Sequence, residues 1–311
     1  MATTQTTGLL SAEMQTYYEK KMLSRLIPNF VYTSLGQKRS IPKNGGKTIN
    51  FRKVEKILGT TTALTEGTTP TGKSITVTPL TATVSQYGDF VEVSDFLDLT
   101  SIDALIDEMA TVFGEQAADT MDQVCREALS IGTSFQYASN RASRVTITTA
   151  DTFNVTELRK ALRTLRSNNA KPMSDGYFVA IIHPRTLYDL QNDTAWVNAH
   201  LYTDIGIKDL YKGEAGMLYG VRFIVSTNAK VFSAGGSGGI DVYGTLIFGN
   251  EAFGVVDVAG GSSVQMIIKP HGAAGTADPL NQRGTIGWKV NFAAVILQDT
   301  AMIRVEHSVS A

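Results

Sequence analysis

The strongest constraint on the fold is residues 101–131, a proline-free stretch with one internal glycine, Gly114. Apolar residues recur within it at three- to four-residue spacing, which predicts one buried stripe along an amphipathic helix. The stripe comprises Ile102, Leu105, Ile106, Met109, Val112, Phe113, Ala117, Met121, Val124 and Leu129. Gly132 is predicted to end the helix. At about 1.5 Å per residue this spine helix is about 46 Å long, so other elements must pack along it.

Composition excludes several classes of protein. The chain has 311 residues, a formal net charge of −1 and a single cysteine, Cys125. An internal disulfide is therefore excluded, and no global attraction to nucleic acid or to a membrane surface is expected. The first residues lack the pattern of a signal peptide, and no apolar run approaches the ~20 residues of a membrane span. We predict a soluble α+β protein made in the cytoplasm.

Two segments before the spine helix alternate in the manner of β-strands. Residues 47–57 and 74–93 flank a threonine-rich stretch, GTTTALTEGTTPTGKS. Two long strands and a wide polar tip predict an extended hairpin, each arm on the order of 60 Å long. A two-stranded ribbon is at best marginally stable alone in water. The hairpin is therefore expected to contact a surface outside its own domain.

Charge is segregated around this hairpin. Its basic residues are Lys43, Lys47, Arg52, Lys53, Lys56 and Lys73, against Glu55 and Glu66. Residues 86–127 are acidic, with Arg126 as the sole basic residue. We predict that the hairpin of one copy docks on the spine region of another. The contact residues are expected to be Arg52, Lys53, Lys56 and Lys73 with Asp95 and Asp98. The alternative is a solvated helix face beside a basic loop.

The remaining segments predict a four-part organisation. Residues 1–46 form an arm with a short helix over Ser11–Arg25, and residues 47–93 form the hairpin. Residues 153–261 form an inserted α/β module with a capping box, Asn154 to Glu157, a buried strand, YFVAII, and glycine-rich loops. Residues 94–152 and 262–311 form the domain of the spine helix, because the late segments SVQMIIK, GTIGWKVNFAAVIL and AMIRVEH are long strands without helices of their own.

No motif predicts catalysis, a cofactor or a metal. Residues 67–74, GTTPTGKS, match the phosphate-binding loop literally, but a strand pattern with Pro79 follows where that motif needs a helix. A nucleotide-binding enzyme is therefore a weak alternative. The histidines His183, His200, His271 and His307 lack metal-ligand spacing, and a Ser/His/Asp triad in space stays open. The basic residues Arg159, Lys160, Arg163 and Arg166 are expected to form a solvated helix face rather than a nucleic-acid surface.

The segment order and three stretches resemble the major capsid proteins of tailed bacteriophages, with the Hong Kong phage-type fold. The stretches are KTINFRKVEK with TEGTTPTGKS, FVEVSDFLD ahead of the spine, and LYGVRFIVSTN. They look like the branch named for the coliphage N-four major capsid protein. In family terms the four parts are the N-arm, the E-loop, the peripheral P-domain and the axial A-domain.

This resemblance implies a structural protein that is not an enzyme and uses no cofactor. Such a protein self-assembles into hexamers and pentamers of an icosahedral shell around double-stranded DNA, in the cytoplasm of a host bacterium. A portal and separate scaffolding or decoration proteins are implied as partners. Lys73 is a possible crosslink donor, but non-covalent docking is favoured. The alternative within the same fold is an encapsulin-like compartment that holds an enzyme cargo.

Overall fold

The computed structural model describes residues 31–42, 44–55, 57, 59–100, 105–201, 216–258, 264–272 and 278–310. The helix predicted for Ser11–Arg25 lies outside these ranges, as do Lys43 and Lys56. For Asp98 only the backbone is described.

The described chain combines a few helices with many strands, which confirms the predicted α+β class. The helices are α1 Tyr32–Leu35, α2 Asp95–Thr100, α3 Leu105–Ser130, α4 Val155–Ser167, α5 Pro184–Gln191 and α6 Thr194–Leu201. The strands are β1 Gln37–Ile41, β2 Thr48–Val54, β3 Val77–Thr83, β4 Ser85–Ser94, β5 Phe135–Tyr137, β6 Phe178–Ile182, β7 Met217–Leu218, β8 Val221–Val225, β9 Lys230–Phe232, β10 Val242–Phe248, β11 Phe253–Val258, β12 Gln265–Lys269, β13 Arg283–Ile296 and β14 Met302–His307.

Helix α3 is the predicted spine. Its 26 residues span about 39 Å. Its buried side chains are Ala110, Phe113, Ala117, Ala118, Met121, Cys125 and Leu129. Val112 is 62% exposed, so its assignment to the buried stripe was wrong. The buried side chains follow the series Ala110, Phe113 and Ala117, and Val112 lies outside that series. A Cβ at Gly132 would lie 2.8 Å from Asp299 Oδ1. Glycine is therefore favoured after the helix, because a larger residue would have to displace the Asp299 carboxylate.

The spine helix packs on one face of a five-stranded sheet. In this sheet β13 pairs with β4 along one edge and with β11 and β12 along the other, and β1 joins β11 in parallel. Ile286, Trp288 and Val290 of β13 are buried in the same cluster as the helix stripe. The Trp288 indole N–H donates to Gln116 Oε1 of the helix over 2.9 Å. The helix is thus fixed both by apolar burial and by a directional bond.

The hairpin is shorter than predicted. Strand β2 pairs with β3 over Thr48–Val54 and Val77–Thr83, a ribbon about 23 Å long. The prediction of one continuous strand over 74–93 is wrong, because pairing changes partner at Val84 and β4 lies on β13 instead. The alternating pattern is continuous through both strands, so it does not show the break. The base of the hairpin packs on the sheet face opposite the spine helix, where Phe51 and Ala82 contact Val256 and Ala293.

A second sheet of seven strands builds the module. Its order is β5-β14-β10-β6-β8-β7, with β9 also paired to β10. One face belongs to the apolar cluster of the spine helix, through Val179, Ile181 and Phe248 among others. The other face packs on α4, whose Leu158, Leu162 and Leu165 are buried against it. This sheet therefore separates α4 from the spine helix.

The sheets do not follow the predicted domain boundaries. Strands β5 and β14 lie outside residues 153–261, yet both pair within the seven-stranded sheet. Strand β11 lies inside that range and pairs with β13 in the other sheet. The expectation that each part builds its own sheet is therefore wrong for β5, β11 and β14. Their partners lie far away in the chain, and such pairing is decided by the tertiary fold. The division into four domains itself stays a prediction.

Candidate assembly surfaces

The hairpin presents its predicted basic residues on different sides. On β2 the side chains of Ile49, Phe51 and Lys53 share the face toward the body, and Arg52 is exposed on the other face. Phe51 is held closely, because a Cβ at Gly254 would come within 2.7 Å of its Cζ. The base of the hairpin is thus fixed to its own subunit, and Arg52 faces away from it.

The hairpin tip, residues 59–76, has no strand or helix and is exposed. Leu64 is 75% exposed there, and Ile75 is also exposed. The Lys73 ammonium donates to Thr60 Oγ1 over 2.7 Å, which ties the two ends of the tip together. Strand β3 follows at Val77, as predicted, where a phosphate-binding loop would need a helix. The literal motif match therefore lacks the backbone that binds phosphate.

The predicted acidic contact residues lie where β4 passes into α2. Asp95 is the first residue of α2, is exposed, and its Oδ1 accepts the Phe96 N–H over 2.7 Å. Within the described ranges, no ion pair involves Arg52, Lys53 or Asp95. Among the described residues these charges therefore have no ion-pair partner, and their pairing between copies stays a prediction.

The sequence reasoning missed an exposed groove farther back along β4, which is centred on Phe90. Phe90 of β4, Gly287 of β13 and Ile267 of β12 form one row across the sheet, on the face opposite the spine helix. They line a depression of about 390 Å³, and Phe90 is 63% exposed. A Cβ at Gly287 would lie 2.7 Å from the Phe90 Cβ, so glycine allows the aromatic ring to sit there. Asp89, Lys269 and Thr285 also line the depression, so it is a mixed surface and a candidate docking site because it exposes an aromatic ring.

A buried carboxylate fixes the start of the described chain to the spine helix. Asp122 is fully buried and accepts the Val31 N–H at 2.7 Å, the Thr33 N–H at 3.2 Å and the Thr33 hydroxyl at 2.7 Å. The first amides of a helix have no acceptor within that helix, and for α1 the Asp122 side chain of the spine helix accepts their hydrogen bonds. Burial also raises the pKa of the neighbouring Tyr32 hydroxyl and Cys125 thiol. Cys125 is therefore a protonated core residue and not a reactive thiolate.

A second buried polar cluster joins the spine helix to β14. The Glu306 carboxylate accepts from Arg144 at 2.6 and 2.8 Å and from Arg304 Nε at 2.8 Å. Arg304 also donates to the carbonyl oxygens of Ser130 and Gly132, where the spine helix ends. A cation at a helix C-terminus is favourable. The cluster therefore links the seven-stranded sheet to the spine.

His307 is fully buried next to this cluster and is neutral. Its Nδ1 lies 2.8 Å from the Ser308 carbonyl oxygen, which can only accept, so Nδ1 carries the proton. Nε2 then accepts from the Thr245 hydroxyl over 2.9 Å. Burial lowers the pKa of His307 to about 4. The Ser308 hydroxyl donates to the Thr149 carbonyl instead of to the imidazole, so the pair is not a nucleophile and base.

His183 and Glu157 also have structural roles. His183 caps α5, since its Nδ1 accepts the Arg185 N–H over 3.2 Å. Asn154 caps α4 as predicted, but Glu157 does not complete the capping box; its carboxylate binds Gln136, Lys160 and the Ser139 amide. In the part of the chain that the structure describes, no three His, Cys, Asp or Glu side chains are grouped to hold a metal. No described helix is long and apolar enough to cross a membrane.

The fold and these surfaces define a structural protein of the tailed-phage capsid type, with a hairpin, a spine helix under one sheet and a second sheet beside it. The profile of the phage capsid protein family matches residues 76–305, so the chain belongs to that family. It is a major capsid shell protein and not an enzyme. The chain has no match among curated proteins.

Solved structures of similar fold come from diverse sources. The chain resembles the capsid of cyanophage P-SCSP1u with 17% identity and a TM-score of 0.68, covering 91% of this chain and 89% of that one. It resembles the capsid of Ralstonia phage GP4 with 14% identity and a TM-score of 0.71, covering 100% and 96%. A virus-like particle from Pyrococcus furiosus matches with 13% identity and a TM-score of 0.56, covering 94% and 100%. The resemblance to the coliphage N-four branch stays a prediction.

Proposed function

We propose that this chain forms hexamers and pentamers of an icosahedral shell that encloses double-stranded DNA, with the β2–β3 hairpin of each subunit lying on a neighbour. The observation that carries the proposal is the hairpin itself. Its base packs on its own sheet through Phe51, but its tip exposes Leu64 and Ile75. An exposed apolar tip on a two-stranded ribbon is unfavourable in an isolated subunit and needs a partner surface.

The groove of Phe90, Gly287 and Ile267 is the surface that we assign to the tip of a neighbour. Burying about 100 Å² of apolar area there contributes about 2.5 kcal/mol. Asp95 and Asp98 lie in α2, which follows β4, and Asp95 is five residues beyond Phe90 in the chain. An exposed ion pair contributes ~0–1 kcal/mol. Apolar contact therefore supplies most of the affinity, and the charges of the hairpin steer the encounter.

Charge reversal on the hairpin tests this contact. Arg52→Glu with Lys53→Glu should leave the subunit folded, because both side chains are free of ion pairs among the described residues. Shell assembly, followed by light scattering at low salt, should slow several-fold, and the difference should shrink as salt screens the charges. Lys171→Glu, an exposed reversal on the module, is the matched control. Normal assembly of the double reversal at low salt would leave the hairpin held by apolar contacts alone.

The contents of the shell separate two versions of the proposal. Nuclease-protected double-stranded DNA in particles from infected bacteria supports the phage capsid, with a portal and separate scaffolding or decoration proteins as partners and assembly in the host cytoplasm. The second candidate with the same fold is an encapsulin-like cellular compartment that holds an enzyme cargo. Particles that contain one enzyme and no DNA would establish that candidate instead.

A further inference from the structure

Helix α4 carries a basic groove that the proposed hairpin contact does not use. Arg159, Arg163 and Arg166 are spaced by four and three residues, which places them on one helix face. All three are exposed, and with Leu162 and Tyr219 they line a depression of about 580 Å³. Arg166 Nη2 donates to the Tyr219 carbonyl oxygen over 3.3 Å, and the Arg159 guanidinium lies 5.7 Å from the Tyr219 ring centre. The groove is therefore a defined surface.

Within the described part of the chain, the three arginines have no acidic partner. Glu157 is the sole acidic residue of α4; it is buried, and its carboxylate pairs with Lys160 at 2.8 Å. Across the ranges that the structure describes, none of Arg159, Arg163 and Arg166 forms an ion pair. Like charges gathered in one open groove repel each other until an acidic surface covers them.

An acidic cleft lies at the other end of the same helix. Asp189 and Asp193 line a depression of about 600 Å³ together with Asn192 and Ser310. Asp193 Oδ2 accepts the Val155 N–H over 2.9 Å, which places the cleft at the first turn of α4. Neither aspartate takes part in an ion pair with another described residue. Along the helix axis, Arg159 lies about 6 Å and Arg166 about 16 Å from Val155, so the groove runs away from the cleft along α4.

We infer that the basic groove of one subunit binds the acidic cleft of the next subunit, head to tail, around each capsomer ring. Two different patches that match each other give a heterologous contact, which closes into a ring when the rotation between successive subunits closes. The two surfaces are opposite in charge, which favours a second copy of this chain over a nucleic acid as the occupant, because a nucleic acid would match the groove but not the cleft. The inference rests on the proposed assembly but is independent of the hairpin contact.

Two charge variants test the inference on the full chain. The groove variant is Arg159→Glu with Arg163→Glu, which keeps the Arg166–Tyr219 bond. The cleft variant is Asp189→Lys with Asn192→Lys, and Asn192→Lys alone is a milder form that keeps the hydrogen bonds of Asp189 to Ser310. Each variant should weaken capsomer formation by about tenfold or more in sedimentation at low salt. Arg163→Glu and Lys171→Glu are matched single reversals, and only the first should have an effect.

Mixing the two double variants gives the sharpest result. The acidified groove of one chain then faces the basic cleft of the other, and the unchanged groove and cleft also face each other. Every contact in an alternating ring is attractive again. Such a ring closes only with an even number of subunits. An equimolar mixture should therefore recover hexamers with equal amounts of both chains, and no pentamers.

Each other outcome overturns the inference. Normal capsomers from both variants would show that the groove and cleft do not meet. No recovery on mixing, with both chains folded by thermal denaturation, would show that they serve only their own helix. Unchanged capsomers with lower retention of double-stranded DNA by the groove variant would assign the groove to phosphates. Failure of the unmutated chain to self-associate would instead contradict the proposed function itself.

Discussion

The Asp122 carboxylate is predicted to hold the described start of the chain on the spine helix. Asp122→Ala removes the acceptor for the amides of Val31, Tyr32 and Thr33 and for the Thr33 hydroxyl. The side chain is fully buried, and Tyr32 and Thr33 are also buried. These donors have no replacement acceptor in the folded protein unless water enters, so we expect α1 to detach locally before the sheets unfold.

The size of the effect follows from the contacts. A hydrogen bond to a charged acceptor contributes ~1.5–3 kcal/mol. The two contacts of 2.7 Å, from the Val31 N–H and the Thr33 hydroxyl, therefore represent about 3–6 kcal/mol. Val31 is only half-buried, so water recovers part of this energy. We expect a loss of about 3 kcal/mol, which is about a 100-fold faster exchange of the Tyr32 and Thr33 amides.

Hydrogen exchange measured by mass spectrometry on assembled particles is the assay. Thr33→Val removes one donor together with its bond, so it should accelerate exchange by about tenfold or less. Asp122→Asn keeps the shape but directs an NH₂ group or a single oxygen at several donors, so it should resemble Asp122→Ala. Unchanged exchange of these amides in Asp122→Asn would refute the reasoning that the carboxylate anchors α1.

Three further predictions concern the junction between the spine and β14. Burial holds the pKa of His307 at about 4 instead of 6.5. As the pH falls, the unfolded chain binds this proton before the folded chain does. The free energy of unfolding should therefore fall by about 3 kcal/mol between about pH 6.5 and 4. In urea unfolding at several pH values, His307→Gln should reduce this dependence on pH. Glu306→Gln leaves two arginines without their carboxylate and should cost about 3 kcal/mol by the same assay. Gly132→Ala places a Cβ 2.8 Å from Asp299 Oδ1 and should cost about 1–2 kcal/mol, whereas Gly59→Ala, with no atom within 4 Å, should be neutral.

The sequence patterns predicted those elements that are determined by residues close together in the chain. The buried stripe of the spine helix, the strand YFVAII and the Asn154 cap follow from spacing and from side chains that reach their own backbone. The Val112 error and the missed break at Val84 have one origin. The periodicity of apolar residues predicts a helix or a strand, but it does not show which other element packs against each residue.

Long-range pairing set what the sequence did not predict. Strand β14 lies next to β10 and β5, segments about 60 and 170 residues away in the chain, and no local signal encodes that register. The groove of Phe90 and Ile267 was missed for the same reason, because it forms only when β4 and β12 flank β13. Asp122 belongs to the acidic region 86–127 that was predicted to dock a neighbour's hairpin, and only the packing of α1 makes it a buried acceptor within its own subunit.

The most direct test of the central claim is a cryo-electron microscopy reconstruction of particles assembled from the purified chain. The account predicts closed shells of hexamers and pentamers in which residues 59–76 of each hairpin cross a subunit boundary and lie over Phe90, Gly287 and Ile267 of a neighbour. Shells in which every hairpin tip lies on its own subunit, or a chain that stays monomeric at high concentration, would contradict it.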